Sequence, residues 1–271
     1  TQKFYGPDIS KEACLSLVSV QDAGDWEIRK IMDCPFLHRF GILKRGGVLY
    51  LILCTLKSDQ KEAEEDWRFP GKVLVTELPE DLTVYGPDRQ LKARVLKEGL
   101  LRNHGFCLHR KEDGTESALV FSESGAFMFT PPFCPGGDWE ICLLTEDPAS
   151  DGVLLDLDGD GREELLTITP FHGDTLRIYR PEEKGGYKVI WTCPEKLPFL
   201  HAIWGGEIAG RKPWIVGARG GERVLLAITF IDGSFQCQVL DEGCGSANVL
   251  HFQKGGRDFV LAANREIDEA A

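Results

Sequence analysis

The chain has 271 residues, 42% hydrophobic and 27% charged, an ordinary balance for a folded protein with a full core and room for one large or two small domains. Its 43 Asp and Glu against 31 Lys and Arg leave a formal net charge of −12. This argues against a nucleic-acid partner or an anionic membrane surface, because phosphate binding is driven by Lys and Arg releasing counterions. The longest apolar runs, such as Gly47-Val48-Leu49-Tyr50-Leu51-Ile52-Leu53-Cys54, fall far short of the roughly 18–20 residues that cross a bilayer, and residues 1–25 lack a basic stretch followed by an apolar one.

Thirty glycines and fourteen prolines punctuate short runs of Val, Ile, Leu, Phe and Tyr, so strands are expected throughout. In chain order, 13–20 and 25–32 read as two strands with nothing before them to complete a sheet. Inner strands then start near His38, His104, Ser150, His201 and Ala247. Three echoes support a repeat: Asp25-Trp26-Glu27-Ile28 recurs at Asp138-Trp139-Glu140-Ile141, Tyr5-Gly6-Pro7-Asp8 recurs at Tyr85-Gly86-Pro87-Asp88, and Cys34-Pro35-Phe36-Leu37-His38 recurs as Cys193-Pro194 with Pro198-Phe199-Leu200-His201. The clearest copy has strand A at 150–156, B at 164–169, C at 175–180 and D at 187–193. Five starts predict an all-β, five-bladed β-propeller of four-stranded antiparallel blades, one domain over 1–271. The last copy has only 249–252 and 259–263, so the N-terminal strands are expected to close that blade and remove its free edge. The other reading is that Glu266-Ile267-Asp268-Glu269 continues it as a C strand.

The nine cysteines are odd in number and contain no C-x-x-C pair, which disfavours a disulfide scaffold or a zinc ribbon. Reduced, buried thiols in a cytoplasmic protein are expected. Trp26, Trp139 and Trp191 fall at equivalent outer positions, and packing between blades is expected of them, as of Trp204 and Trp214 on inner strands.

One motif has a sharp chemical meaning. Asp156-Leu157-Asp158-Gly159-Asp160-Gly161-Arg162-Glu163-Glu164 sets carboxylates at loop positions 1, 3, 5 and 9 with Gly at 6. A hard cation such as Ca²⁺ needs six to eight oxygens, and alternate side chains on a glycine-permitted turn supply them. Asp156, Asp158, Asp160, the Arg162 carbonyl and Glu164 are the expected ligands. An EF-hand is excluded because position 12 is Thr167 and both flanks read as strands. Through Leu155-Asp156-Leu157-Asp158-Gly159-Asp160-Gly161 the chain resembles the FG-GAP and VCBS repeats of integrin-like propellers, specifically over 150–180. The resemblance implies a structural calcium. The corresponding turns at 44–47, 110–114, 207–211 and 253–257 lack the carboxylate set, so one site is expected to bind.

Propeller connectivity places the A-strand starts and B–C turns on one face and the calcium loop on the other. His38, His104 and His201 occupy the same register at A-strand starts. Converging imidazoles suit Zn²⁺, Mn²⁺ or another divalent transition metal; the alternative is that each ring merely bonds a neighbouring backbone group. The B–C turns add His172 and Asp174, Arg219, and Asn264 with Arg265. His172, Arg219 and Arg265 are the candidate catalytic groups, and Asp174, Asn264, Trp67 and Arg68 the candidate ligand-binding ones. Trp67 and Arg68 close an inserted turn, 57–70, whose charged run at 61–66 reads as a solvated loop. His109 and His251 receive no role. The chain has no G-x-S-x-G turn, phosphate loop or dinucleotide fingerprint.

Two functions follow. One is a carbohydrate-active lyase or dehydratase with a His-bound metal, similar in arrangement to oligogalacturonate lyases and the aldos-2-ulose dehydratase propeller, an analogy of fold and site only. The other is a non-catalytic propeller binding a glycan or a protein. A small-molecule carbohydrate is the expected partner, with no nucleic acid and no membrane.

Overall fold

The computed structural model describes residues 10–20, 24–61 and 66–271. The echo at Tyr5-Gly6-Pro7-Asp8 and the part of the charged run at 62–65 lie outside the described residues. The architecture is all-β: among the described residues there is no α-helix, and hence no helix long and apolar enough to cross a membrane.

The chain divides into two compact units, 1–142 and 143–271. In the first, β1 (Cys14–Val20) and β2 (Trp26–Asp33) make a two-stranded sheet. A four-stranded sheet follows from β3 (Leu37–Arg45), β4 (Val48–Thr55), β5 (Gly71–Glu77) and β6 (Arg94–Leu100). The next comes from β7 (Gly105–Arg110), β8 (Glu116–Ser122), β9 (Gly125–Thr130) and β10 (Glu140–Thr145), which crosses the division. The second unit holds β11 (Asp151–Leu155), β12 (Glu164–Thr169), β13 (Thr175–Pro181) and β14 (Tyr187–Thr192), then β15 (Leu200–Gly205), β16 (Trp214–Ala218), β17 (Leu225–Ile231) and β18 (Ser234–Asp241). It ends with β19 (Ser246–Lys254), β20 (Arg257–Asn264), a 3-10 turn at Arg265–Ile267 and β21 (Glu269–Ala270). Every sheet is an antiparallel meander of consecutive strands, and all five inner-strand starts fall within one residue of their expected places.

The unbroken apolar run of β4 has a packing cause. Successive side chains point to opposite faces of a strand, and here both faces are covered. Leu51 and Leu53 join Ala13, Leu15, Ile31 and Met32 of the N-terminal pair, whereas Tyr50, Ile52 and Cys54 join Ala118, Val120 and Phe129 of the following sheet. Each buried Leu, Ile, Val, Met or Phe among them contributes about 1.5–3 kcal/mol. In the second unit Ala202, Ile215, Leu225 and Ala227 meet Val249 and Ala262 in the same way.

Three expectations need correction. The N-terminal strands form a sheet of their own, and the outer edge of β20 pairs instead with β21, Ala263 opposite Ala270 and Asn264 opposite Glu269. The 3-10 turn and Asp268 at φ +52° reverse the chain within five residues, so this pairing closes a far shorter loop than the N-terminus would. Trp26 is 65% exposed because it stands opposite Val20 at the hairpin end; Trp139 and Trp214 pack as expected. The thiols are free, but Cys142 and Cys237 are exposed because outer strands β10 and β18 turn one face to solvent, and Cys134 is exposed in the loop before β10.

Candidate functional site

Local backbone structure presents the strand-start histidines. In β3 and β15 the pairing register slips across His38 and His201, each an extra residue with no counterpart on the neighbouring strand. Such bulges re-aim a side chain away from the regular pleat. Two residues before His38, His104 and His201 stand Phe36, Arg102 and Phe199, at φ +59°, +46° and +56°. A left-handed conformation costs a non-glycine residue roughly 1–2 kcal/mol, and its recurrence marks one local design used three times.

In the first unit, His38 and His104 have ring centroids 4.8 Å apart, and Nδ1 of His38 lies 3.3 Å from the His104 carbonyl oxygen. In the second, Nδ1 of His201 lies 2.8 Å from the carbonyl oxygen of Ala247, itself the extra residue of a bulge in β19. A carbonyl only accepts, so Nδ1 carries the proton and the neutral ring keeps its lone pair on Nε2. Metal-bound imidazoles are oriented by this kind of bond.

His172, in the β12–β13 turn at φ +47°, donates its backbone N–H to Ser150 Oγ at 3.1 Å. Its ring stacks on Phe171 at 4.1 Å, tilts against Phe199 at 4.9 Å and lies 5.3 Å from the His201 ring. Ring nitrogens of His172 and His201 come within 4.8 Å of each other. Arg219 lies over Phe199, its guanidinium carbon 4.4 Å from the ring centroid, and donates from Nε and Nη2 to Glu266 Oε1 at 2.8 and 2.6 Å. That bond is the main reason the Glu266 carboxyl is held below its ordinary range. Arg265 is exposed in the 3-10 turn and bears on this group through its charge on Glu266.

Other expected site residues are engaged elsewhere. Asp174 accepts from Thr175 Oγ1 and Lys196 Nζ, at 2.7 and 2.8 Å. Asn264 is buried, accepting from Ser246 Oγ at 2.7 Å. Trp67 lies against Lys57 Nζ, 4.4 Å from the ring centroid, and against the Arg102 guanidinium at 5.2 Å. Arg68 grips both oxygens of the buried Asp66 at 2.7 and 2.9 Å.

The acidic loop is assembled by its own backbone. Asp156 Oδ1 accepts from Gly159 N at 2.9 Å, Asp158 Oδ1 from Asp160 N at 3.2 Å, and Asp160 Oδ1 from Arg162 N at 2.8 Å. Gly159 and Gly161 supply the positive φ, +77° and +85°, that the turn requires. Carboxylate oxygens of Asp156, Asp158 and Asp160 thereby gather within 4.8 Å of one another. Glu164 is fully buried: one oxygen accepts from Leu157 N at 3.1 Å and the other from Arg180 Nε at 3.1 Å. Arg180 also pairs with Asp158, and Lys212 with Asp156 at 3.2 Å. Burial raises the Glu164 carboxyl above its ordinary value, outweighing its hydrogen bonds from Leu157 and Arg180. The donor set suits a hard cation, with Arg180 and Lys212 supplying counter-charge from the protein itself.

Sequence reasoning assigned no role to Phe171, Phe199, Glu266 or Arg180. Phe199 carried a signal in the repeated Phe-Leu-His, and Phe171 and Glu266 stood in the polar turns at 170–174 and 264–266; Arg180 becomes a partner only through folding.

No protein-family model matches the chain, and no curated protein matches it. Among solved structures it is similar to the Pseudomonas aeruginosa periplasmic gluconolactonase PpgL, with a TM-score of 0.55 and 17% identity over 91% of this chain and 69% of that one. The likeness is one of fold. A proposed 6-phosphogluconolactonase of Bacteroides uniformis gives a TM-score of 0.53 at 13% identity over 94% of this chain and 72% of the other. Trypanosoma rangeli sialidase gives 0.51 at 10% identity over 96% of this chain, which spans 49% of the sialidase. These neighbours share a β-propeller-like architecture; the likeness to FG-GAP and VCBS repeats stands on the Asp156–Glu164 motif alone.

Proposed function

We propose that the chain is a β-propeller domain of five repeats that acts on a carbohydrate and holds a divalent transition metal, Zn²⁺ or Mn²⁺, through its strand-start histidines. The observation that carries this reading is His201, displaced by a bulge, proton-locked on Nδ1 by Ala247, and beside His172. His38 is presented by the same bulge. Structural neighbours named as a gluconolactonase and a sialidase support a sugar as substrate.

The proposed reaction is an elimination. When bound, the metal polarises a carbonyl or carboxylate next to the acidic C–H. His172 accepts that proton, and a hydroxyl or glycosyl oxygen leaves from the adjacent carbon as the double bond forms. Arg219, braced by Phe199 and Glu266, orients the substrate's anionic group. Calcium is proposed at Asp156, Asp158, Asp160, the Arg162 carbonyl and Glu164 as a staple of the β11–β12 turn, with no part in the chemistry.

The test is metal analysis of the purified chain and of His172→Ala and His201→Ala variants, joined to an ultraviolet assay for the unsaturated product from uronate-containing glycans. Loss of the transition metal and of product is expected in His201→Ala, and loss of product with the metal retained in His172→Ala. Wild-type protein that takes up no transition metal overturns the metal site. Metal retention with no turnover but saturable glycan binding selects the non-catalytic reading.

A further inference from the structure

At the opposite end of the β3–β6 sheet from His38, the first unit holds a cavity of about 460 Å³. Tyr50 lines it from β4, Trp139 and Pro132 form an apolar wall, and Glu77, Lys92 and Arg94 complete it. Tyr50 pairs with Leu43, five residues beyond His38 on β3, so the cavity lies roughly 17 Å along the sheet from that histidine.

Tyr50 is 1% exposed, and its hydroxyl has no hydrogen-bond partner among the described residues. A buried hydroxyl that has lost water and found no replacement is rare in native folds. Here it belongs to a residue lining an open space, which points to a ligand as the missing partner. Burial and the Glu77 charge keep the phenol protonated, able both to donate and to accept. The Trp139 ring meets Tyr50 edge-on, centroids 5.7 Å apart, and so fixes the phenol's position. Glu77 accepts from Gly136 N at 2.6 Å and braces the 131–139 loop that walls the cavity. Lys92 and Arg94 are exposed, and with one carboxylate against two cations the lining favours an anion.

We propose that this cavity is a binding site for a monosaccharide-sized polyhydroxy carboxylate: its carboxylate meets Lys92 and Arg94, a hydroxyl pairs with Tyr50 Oη, and its carbons lie against Trp139 and Pro132. The volume falls within the roughly 300–1,000 Å³ of small-molecule sites. The site uses residues of the first unit alone and is independent of the histidine reading.

Calorimetric titration of the full chain with D-glucuronate, against neutral methyl glucoside, tests it. Saturable binding of glucuronate is expected, with the neutral sugar roughly tenfold weaker or more. Arg94→Gln, at an exposed position, weakens glucuronate by a similar factor. Tyr50→Phe removes the binding yet leaves the melting temperature without ligand unchanged or higher, because only an unpaired hydroxyl is lost. Repeated in His201→Ala, where the proposed metal site is disabled, the titration still shows saturable glucuronate binding that Tyr50→Phe removes, which separates this site from the proposed metal site. The proposal is overturned by no saturable uptake of glucuronate, by wild-type affinity in Tyr50→Phe, or by a lower melting temperature of unliganded Tyr50→Phe, which would reveal a partner within the protein.

Discussion

Arg180→Met is the most informative perturbation of the acidic loop. In calcium-free buffer it strips the cation from Glu164, whose side chain is 0% exposed, and from Asp158, at 9%, while keeping most of the aliphatic stem. Breaking a buried ion pair from one side costs about 3–5 kcal/mol. The Arg180 side chain is 34% exposed, so solvent already screens part of its attraction, and about 2–3 kcal/mol is expected. For a unit of this size that corresponds to a melting temperature lower by roughly 5–10 °C. Calcium should reverse the loss: at a hundredfold its dissociation constant, binding to the native state adds about 2.7 kcal/mol, close to the deficit. The assay is thermal melting followed by circular dichroism, wild type and variant, with chelator and across a calcium titration. An Arg180→Met protein that is destabilised but indifferent to calcium would show a loop closed by Arg180 alone, and the calcium reading would fall. One that melts like the wild type in chelator would refute the burial argument for Glu164.

Three further outcomes are expected. Chelation should lower the wild-type melting temperature, and Asp158→Ala should abolish that sensitivity; equal melting with and without chelator in the wild type removes the claim. Gly71→Ala places a Cβ 2.0 Å from the Thr55 carbonyl oxygen, a backbone atom that cannot step aside, so urea unfolding should show a loss of about 2–3 kcal/mol or more. Glu266 is held below the ordinary Glu range, chiefly by Arg219. The stability it contributes is therefore full above that range and is lost as pH falls through the depressed value. Glu266→Gln should flatten this acid limb in a pH series of melts, and an unaltered limb would show that the pair carries no linkage.

What could be read beforehand followed from short-range rules. Alternating and continuous apolar runs, with glycine turns between them, located the strands of 151–192 to within a residue or two, because strand existence depends on burial pattern and turn chemistry. The loop at Asp156, Asp158 and Asp160 was equally legible, since its geometry is made by its own backbone amides and two glycines. The register of His38, His104 and His201 was legible as a repeat, but not the means of presentation. Bulges at His38 and His201 and the left-handed residues two positions earlier are choices of strand pairing, which single residue types do not encode.

The sequence by itself determined an all-β chain of repeated four-strand sheets, one acidic turn, and histidines at equivalent strand starts. Tertiary structure alone decided which partners those groups meet: Arg180 on Glu164, Glu266 on Arg219, Phe199 beside His172, β21 rather than an N-terminal strand on β20, and a Tyr50 hydroxyl with no partner among the described residues. Apart from the short β20–β21 reversal, those pairings join residues far apart in the chain. Their energies depend on burial and distance after folding, and neither quantity is written in local residue order.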